Sequence, residues 1–371
     1  MTAPDPASLT TLVLWSAFAL SVAFGAIAQR THFCTMGALA DIVSMRDFTR
    51  LRMWVLAIAV AIAGFNAMVG LGWVEAAKSV YAAPRLLWLS AVVGGLMFGF
   101  GMVLASGCGS KSLVRVGGGN LKSLVVVTVL GLSAFATLKG ITAVLRVETI
   151  DRVFVTLSSG QDLPSLLAAA VGRTPAALAP WLGGAIALAL LAWVLARPEG
   201  RRGEVWLGGV GVGAVIVLLW WVSGRLGHLA EDPNTLEEVF LATNSRRMEA
   251  MSMVAPVGFA LDWLLFFSDK SKVLTIGIVS VAGVIAGSAV VALLQKSFRW
   301  EGFGGVEDTV NHLAGAALMG VGGVAALGCT IGQGLSGIST LSVGSAIALA
   351  AIVAGGFLGL RWQLWRLEKM V

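Results

Sequence analysis

Charge is what this chain has least of. Only 12% of its 371 residues are Asp, Glu, Lys or Arg, 57% are hydrophobic, and mean hydropathy is +0.87. A soluble domain carries about twice that charge, so an ordinary water-soluble enzyme is excluded. Cysteine is scarce too, with three residues at 34, 108 and 329 and no Cys-x-x-Cys pair. That leaves free thiols, without a closed disulfide framework or a thiolate metal site. No metal and no cofactor is expected. A Gly-x-x-x-x-Gly-Lys-Ser/Thr loop is absent, so ATP would have to be supplied by another chain. No basic patch interleaves with aromatics, which sets nucleic acid aside. Met1 to Leu9 carries no basic n-region, so the first apolar run is expected to be a retained span.

What the chain does have is glycine, 47 in all, and long apolar runs. Small residues with little charge point to an all-α polytopic membrane protein whose helices approach closely. Runs able to cross a bilayer need about 20 apolar residues. Nine qualify: Leu9–Gln29, Leu51–Val74, Leu86–Ser106, Leu121–Leu145, Ala177–Ala196, Glu204–Gly224, Lys272–Leu294, His312–Gly328 and Ser342–Arg361. Shorter pieces at Phe33–Asp47, Gly109–Val116, Leu163–Val171 and Met248–Phe267 are expected to be re-entrant or broken helices, the last interrupted by Pro256 and Asp262. Glu75, Glu148 and Asp262 are expected at the membrane interface. The whole chain, 1–371, reads as one transport domain with halves of about 1–172 and 173–371.

Charge asymmetry orients this arrangement. The net charge is +6. Arg30, Arg46, Arg50 and Arg52, then Lys111, Arg115 and Lys122, then Arg197, Arg201 and Arg202, and finally Arg361, Arg366 and Lys369 fall on one face. The positive-inside rule makes that face cytoplasmic. The acidic loop with Glu231, Asp232, Glu237 and Glu238 falls opposite, which puts the N-terminus outside and the C-terminus inside.

The most informative stretch is Gly99–Asn120, GFGMVLASGCGSKSLVRVGGGN. A second copy, GVGGVAALGCTIGQGLSG, occupies Gly320–Gly337. A shift of 221 positions superposes Gly99 on Gly320, Gly101 on Gly322, Gly107 on Gly328 and Cys108 on Cys329. Helix breaks inside a membrane are expensive, so a repeated one calls for a function. Two such breaks entering from opposite faces are the signature of pseudo-symmetric inverted halves with a ligand near the midplane. Cys108 is then expected toward the cytoplasmic end of its span and Cys329 toward the external end. Cys34 follows the first span directly, beside His32, which could titrate near neutrality.

Helices restarting after these thiols would offer unpaired N–H groups to an anion. Gly107, Gly109, Gly328, Gly332 and Gly334 permit close backbone approach. Ser110, Ser112, Thr330, Gln333, Ser336, Ser339 and Thr340 supply donors, and Lys111 and Arg115 supply charge. A thiol is a weak donor and a soft acceptor, so a sulfur-bearing anion suits it better than a hard cation. The alternative from another class is a membrane sulfurtransferase that forms a cysteine persulfide.

The fragments QRTHFCTMGA, GFGMVLASGCGSKSLVRVGGGNLKSL and GGVAALGCTIGQGLSGIS resemble the YeeE/YedE family of sulfur-transport membrane proteins. The resemblance implies uptake of thiosulfate across a bacterial inner membrane, without enzymatic activity. It implies an hourglass of nine long helices plus short re-entrant ones, with a cysteine at each constriction. Carried over, Cys329 receives the ion, Cys108 holds it at the waist and Cys34 passes it inward, through S–H hydrogen bonds without covalent exchange. Some relatives handle selenium, so a selenium-compound or sulfite permease is the rival substrate reading, and a TusA-like sulfur carrier is an implied cytoplasmic partner. His32 departs from the small residue expected in the first motif.

Overall fold

The computed structural model describes residues 5–233 and 235–369. Fourteen α-helices follow one another: α1 Pro6–Arg30, α2 Thr35–Met45, α3 Thr49–Gly70, α4 Trp88–Leu104, α5 Gly109–Gly117, α6 Leu121–Lys139 and α7 Ile141–Glu148. Then come α8 Leu163–Val171, α9 Pro175–Leu195, α10 Gly203–Trp221, α11 Val254–Leu265, α12 Ile276–Leu294, α13 Val306–Ala325 and α14 Val343–Glu368. Two pairs of two-residue strands tie loops together, Arg85–Leu86 to Val155–Thr156 and His228–Leu229 to Val239–Phe240. The protein is an all-α polytopic membrane protein.

Eight helices are long and apolar enough to cross a bilayer: α1, α3, α4, α6, α9, α10, α12 and α14. The ninth predicted span lies on α13, which is 20 residues long. Its first turns carry Glu307, Asp308, Asn311 and His312, and this polarity keeps it below the apolar standard of the others. The predicted run Leu121–Leu145 is not one helix. It stops at Lys139, because Gly140 takes an extended conformation and caps a separate α7. The Met248–Phe267 stretch contains the 12-residue α11. Pro256 sits in the first turn of that helix, where its missing N–H costs nothing, so it opens the helix instead of interrupting it. The Asp262 carboxylate is buried within the protein and accepts from the Lys272 ammonium at 2.7 Å.

Glycine explains why the helices pack this closely. A Cβ at Gly101 of α4 would stand 2.7 Å from the Gly315 carbonyl oxygen of α13, and one at Gly94 would stand 2.6 Å from that of Gly322. The two contacts are images of each other under the 221-residue shift, since 94 maps to 315 and 101 to 322. They also fix α4 and α13 as antiparallel. On its other flank α4 runs beside α14, where Gly99 abuts Ile352 and Gly356. The same exchange holds elsewhere, with α1 lying on α12 as α10 lies on α3, and α4 on α14 as α13 on α6. The short helices correspond too, α2 preceding α3 as α11 precedes α12.

Candidate functional site

The site grows from one kind of turn, made before each of the three thiols. After α4, the Gly107 N–H donates to the Met102 carbonyl at 2.8 Å; after α13, Gly328 donates to Gly323 at 2.8 Å; after α1, Phe33 donates to Ala28 at 3.2 Å. This six-residue closure ends a helix by turning one residue left-handed, normally a glycine. Here those residues are Ser106, Leu327 and His32, with φ of 56°, 57° and 52°. A cysteine lies two positions beyond each of them: Cys108, Cys329 and Cys34. Left-handed backbone costs an L-residue about 1–2 kcal/mol. The same closure with a left-handed non-glycine residue also ends α12 at Lys296, and a left-handed Arg46 ends α2, so it is the cysteine two positions on that sets these three apart.

Each thiol then meets the start of a new helical segment. Cys34 caps α2 and its sulfur accepts the Gly37 N–H at 3.3 Å. Cys329 accepts the Gly332 N–H at 3.4 Å, just where a π-helical segment, Gly332–Gly337, begins. Cys108 caps α5 and its sulfur lies 3.3 Å from the Ser110 hydroxyl. Wide π turns are concentrated at functional sites. This one lets Ser336 N–H reach back five residues to Ile331.

The segments fold toward one another. The Cys34 and Cys108 side chains lie near each other, and Thr330 lies beside Cys108. Cys329 lies within electrostatic range of Cys108, and the Met253 backbone reaches its thiol. All three cysteines are free and buried. The Cys108 and Cys329 turns, which follow two antiparallel helices, approach each other. Around them, the hydroxyls of Thr35 and Thr330 and the carbonyl oxygen of Gln333 are buried without a well-formed hydrogen bond to any described residue. Unpaired buried polar groups cost about 1–3 kcal/mol each, so a ligand that satisfied them would bind with that advantage.

Not every expected donor is available. Ser336 donates to Met251 O at 2.7 Å, Ser339 to Ser336 O at 2.6 Å and Thr340 to Gly337 O at 2.8 Å, so these hydroxyls are committed to backbone. The Gln333 amide nitrogen is held by Ala326 O. Gly109 faces Leu130, Met253 and Val254 and opens no space toward a ligand. Gly107, by contrast, lies against the stem of Lys111.

Two chambers reach the turns that carry the thiols, one at His32 and Ser106 and the other at Leu327 and Gly328. The basic one, about 400 Å³, is lined by His32, Ser106, Lys111, Arg115, Lys122 and Arg299, among others. Arg115 is fixed there by donating to the Ser106 carbonyl at 2.8 Å, and Lys122 is paired with Asp308 at 3.0 Å. The other chamber, about 230 Å³, has mainly apolar walls and extends to Gly328, the neighbour of Cys329. Its polar groups are ones the motifs did not reveal. They are Tyr81, the only tyrosine in the chain, with Ser252, Asn244, Ser245, Glu249 and Arg146. Ser252 and the Tyr81 hydroxyl crowd the Cα of Gly332, the residue whose N–H caps Cys329. Being the sole tyrosine was the one sequence signal available for this chamber.

The family model for sulphur transport matches residues 30–358. The thiosulfate transporter TsuA of Escherichia coli (strain K12) is 24% identical over 353 residues, which cover 89% of each chain. TsuA of Spirochaeta thermophila is 25% identical over 372 residues, covering 95% of this chain and all of the relative. A shorter likeness, 32% over 101 residues, joins 27% of this chain to 23% of the probable transporter YedE of Salmonella typhimurium.

Proposed function

Because the chain belongs to the sulphur transport family, we propose that it is a permease for thiosulfate, which crosses through the central cysteine cluster. The observation that carries this reading is the meeting of three thiols, each set by the same kind of turn, and each turn lining one of two chambers. Thiosulfate has one soft terminal sulfur and three hard oxygens. The sulfur suits S–H donors, and the oxygens suit the unpaired Thr35 and Thr330 hydroxyls. The ion enters the Tyr81 chamber, passes Cys329, Cys108 and Cys34 in turn, and leaves through the chamber of Lys111 and Arg115. Ser110 and Gln333 shape the passage from behind the thiols. Contacts are transient hydrogen bonds, so no bond is made or broken and the protein is not an enzyme.

The orientation follows the charge distribution. The basic chamber faces the cytoplasm of a bacterial cell, the N-terminus is periplasmic, and the C-terminus is cytoplasmic. Residues 1–371 form one transport domain whose halves, about 1–172 and 173–371, run in opposite senses because α9 adds a crossing between them. A TusA-like sulfur carrier collects the ion at the basic chamber. Growth on thiosulfate as sole sulfur source tests the reading. Cys34→Ala, Cys108→Ala and Cys329→Ala should each slow uptake about five- to tenfold, as the loss of one hydrogen bond of about 1–1.5 kcal/mol requires. Uptake at the parental rate by a cysteine-free variant would refute it. A stable gain of one sulfur on Cys108 or Cys329 would favour the sulfurtransferase.

A further inference from the structure

The basic chamber suits an anion, but the Tyr81 chamber contains a carboxylate in its path. Glu249 lines that space together with Tyr81, Ser252 and Gly328. Its Oε2 accepts from the Ser245 hydroxyl at 3.0 Å and its Oε1 from the Asn244 N–H at 3.4 Å. Its own N–H donates to Ser223 at 2.9 Å, which anchors it to the end of α10. A fixed negative charge in a chamber of about 230 Å³ repels any dianion that enters.

The groups around Glu249 leave that charge unneutralised. From α7, Arg146 faces the chamber but is paired with Asp151 at 3.3 Å. On its own loop, Arg247 points to the Ser79 carbonyl at 3.5 Å. Beyond the Ser79–Met248 bridge, Lys78 is held by Glu75 at 3.1 Å and Glu238 at 2.7 Å. Tyr81 is neutral, because burial pushes its hydroxyl well above the usual phenol range. Leu138 of α6 and the faces of α11, α12 and α13 toward the chamber bring no titratable group. Among the described residues no cation lies within ion-pairing distance of Glu249.

We propose that Glu249 is a proton-binding gate of the Tyr81 chamber, and that a sulfur oxyanion occupies the chamber only when this carboxyl is protonated. The gate deepens the permease reading above and rests on it. Burial pushes the Glu249 carboxyl up to about 7, partly offset by the Ser245 and Asn244 hydrogen bonds. The sign is then fixed. Below that value the carboxyl is neutral and the chamber is open to the anion; above it the carboxyl ionises and the anion is excluded. Thiosulfate itself remains a dianion throughout, so the pH dependence belongs to the protein.

Radiolabelled thiosulfate uptake into proteoliposomes tests this, with internal pH clamped and external pH varied. The parent should lose about tenfold in rate between about pH 6 and pH 8, following the neutral fraction of a single carboxyl. Glu249→Gln, which keeps the shape and carries no charge, should transport at the acid rate across the whole range. A Glu249→Gln variant with the parental pH profile, or a flat parental profile, overturns the proposal. Calorimetry of the parent alone, in buffers of different ionisation enthalpy, gives a check that needs no variant. Thiosulfate binding at about pH 8, where the free carboxyl is mostly ionised, should take up close to one proton per anion. Binding without proton uptake sinks the gate alone, whereas no binding at any pH sinks the permease reading and the gate with it.

Discussion

Replacing Leu327 with glycine should make the protein more stable, although it removes a large apolar side chain. Leu327 holds φ of 57° in the turn before Cys329. That conformation costs an L-residue about 1–2 kcal/mol, which glycine escapes. Glycine gives back about 0.5–1 kcal/mol through the extra freedom of its unfolded chain. Leu327 is 54% exposed, so truncation forfeits little packing. The balance is a gain of about 0.5–1 kcal/mol. Leu327→Val should move the other way by about 1 kcal/mol, because a β-branched side chain tolerates the left-handed region least. The glycine and valine variants should therefore lie about 2 kcal/mol apart, a few degrees in midpoint for a chain of this size. Thermal unfolding of the purified protein in detergent, followed by tryptophan fluorescence, measures the order. Ser106→Gly should shift in the same direction as Leu327→Gly. A glycine variant less stable than the parent, or no separation between glycine and valine, would show that the turns hold no strain.

Gly99→Val should abolish stable expression, since its Cβ would strike the backbone of Ile352 and Gly356 and overpacking costs about 1–3 kcal/mol or more. Gly184→Ala on α9, whose Cβ would meet nothing within 4 Å, should instead stabilise by roughly 0.5–1 kcal/mol in the same melting assay. Lys111→Gln should weaken uptake several-fold and flatten its dependence on ionic strength, because a charge lining the basic chamber is lost. An unchanged salt profile would count against a role for Lys111 in drawing the anion through.

The helices were legible because their signal is apolar length, and the two related breaks were legible because Gly99–Cys108 and Gly320–Cys329 match at six of ten positions. The turns were not. A helix stop of this type normally announces itself by glycine, and serine, leucine and histidine occupy the left-handed position here. Gly140 divided a run that hydropathy alone joined, since one glycine barely lowers an apolar average. The spacing of Cys108 and Cys329 suggested breaks entering from opposite faces toward a shared midplane site, because the repeat implied inverted halves. Tyr81, Ser252 and Glu249 escaped notice for a different reason. Their chamber is assembled from loops some 170 residues apart in sequence, and only tertiary packing brings them together.

The glycine contacts that bind α4 to α13 and to α14 set backbone directly against backbone, with no side chain between to serve as a bearing. Surfaces keyed in this way do not slide, so a carrier that rocks one half over the other would have to break its own keystone at every cycle. Passage by local rotation of sulfhydryls and a threonine hydroxyl is the motion these contacts leave easiest, and a cross-link joining α4 to α13 that spared uptake would be its signature.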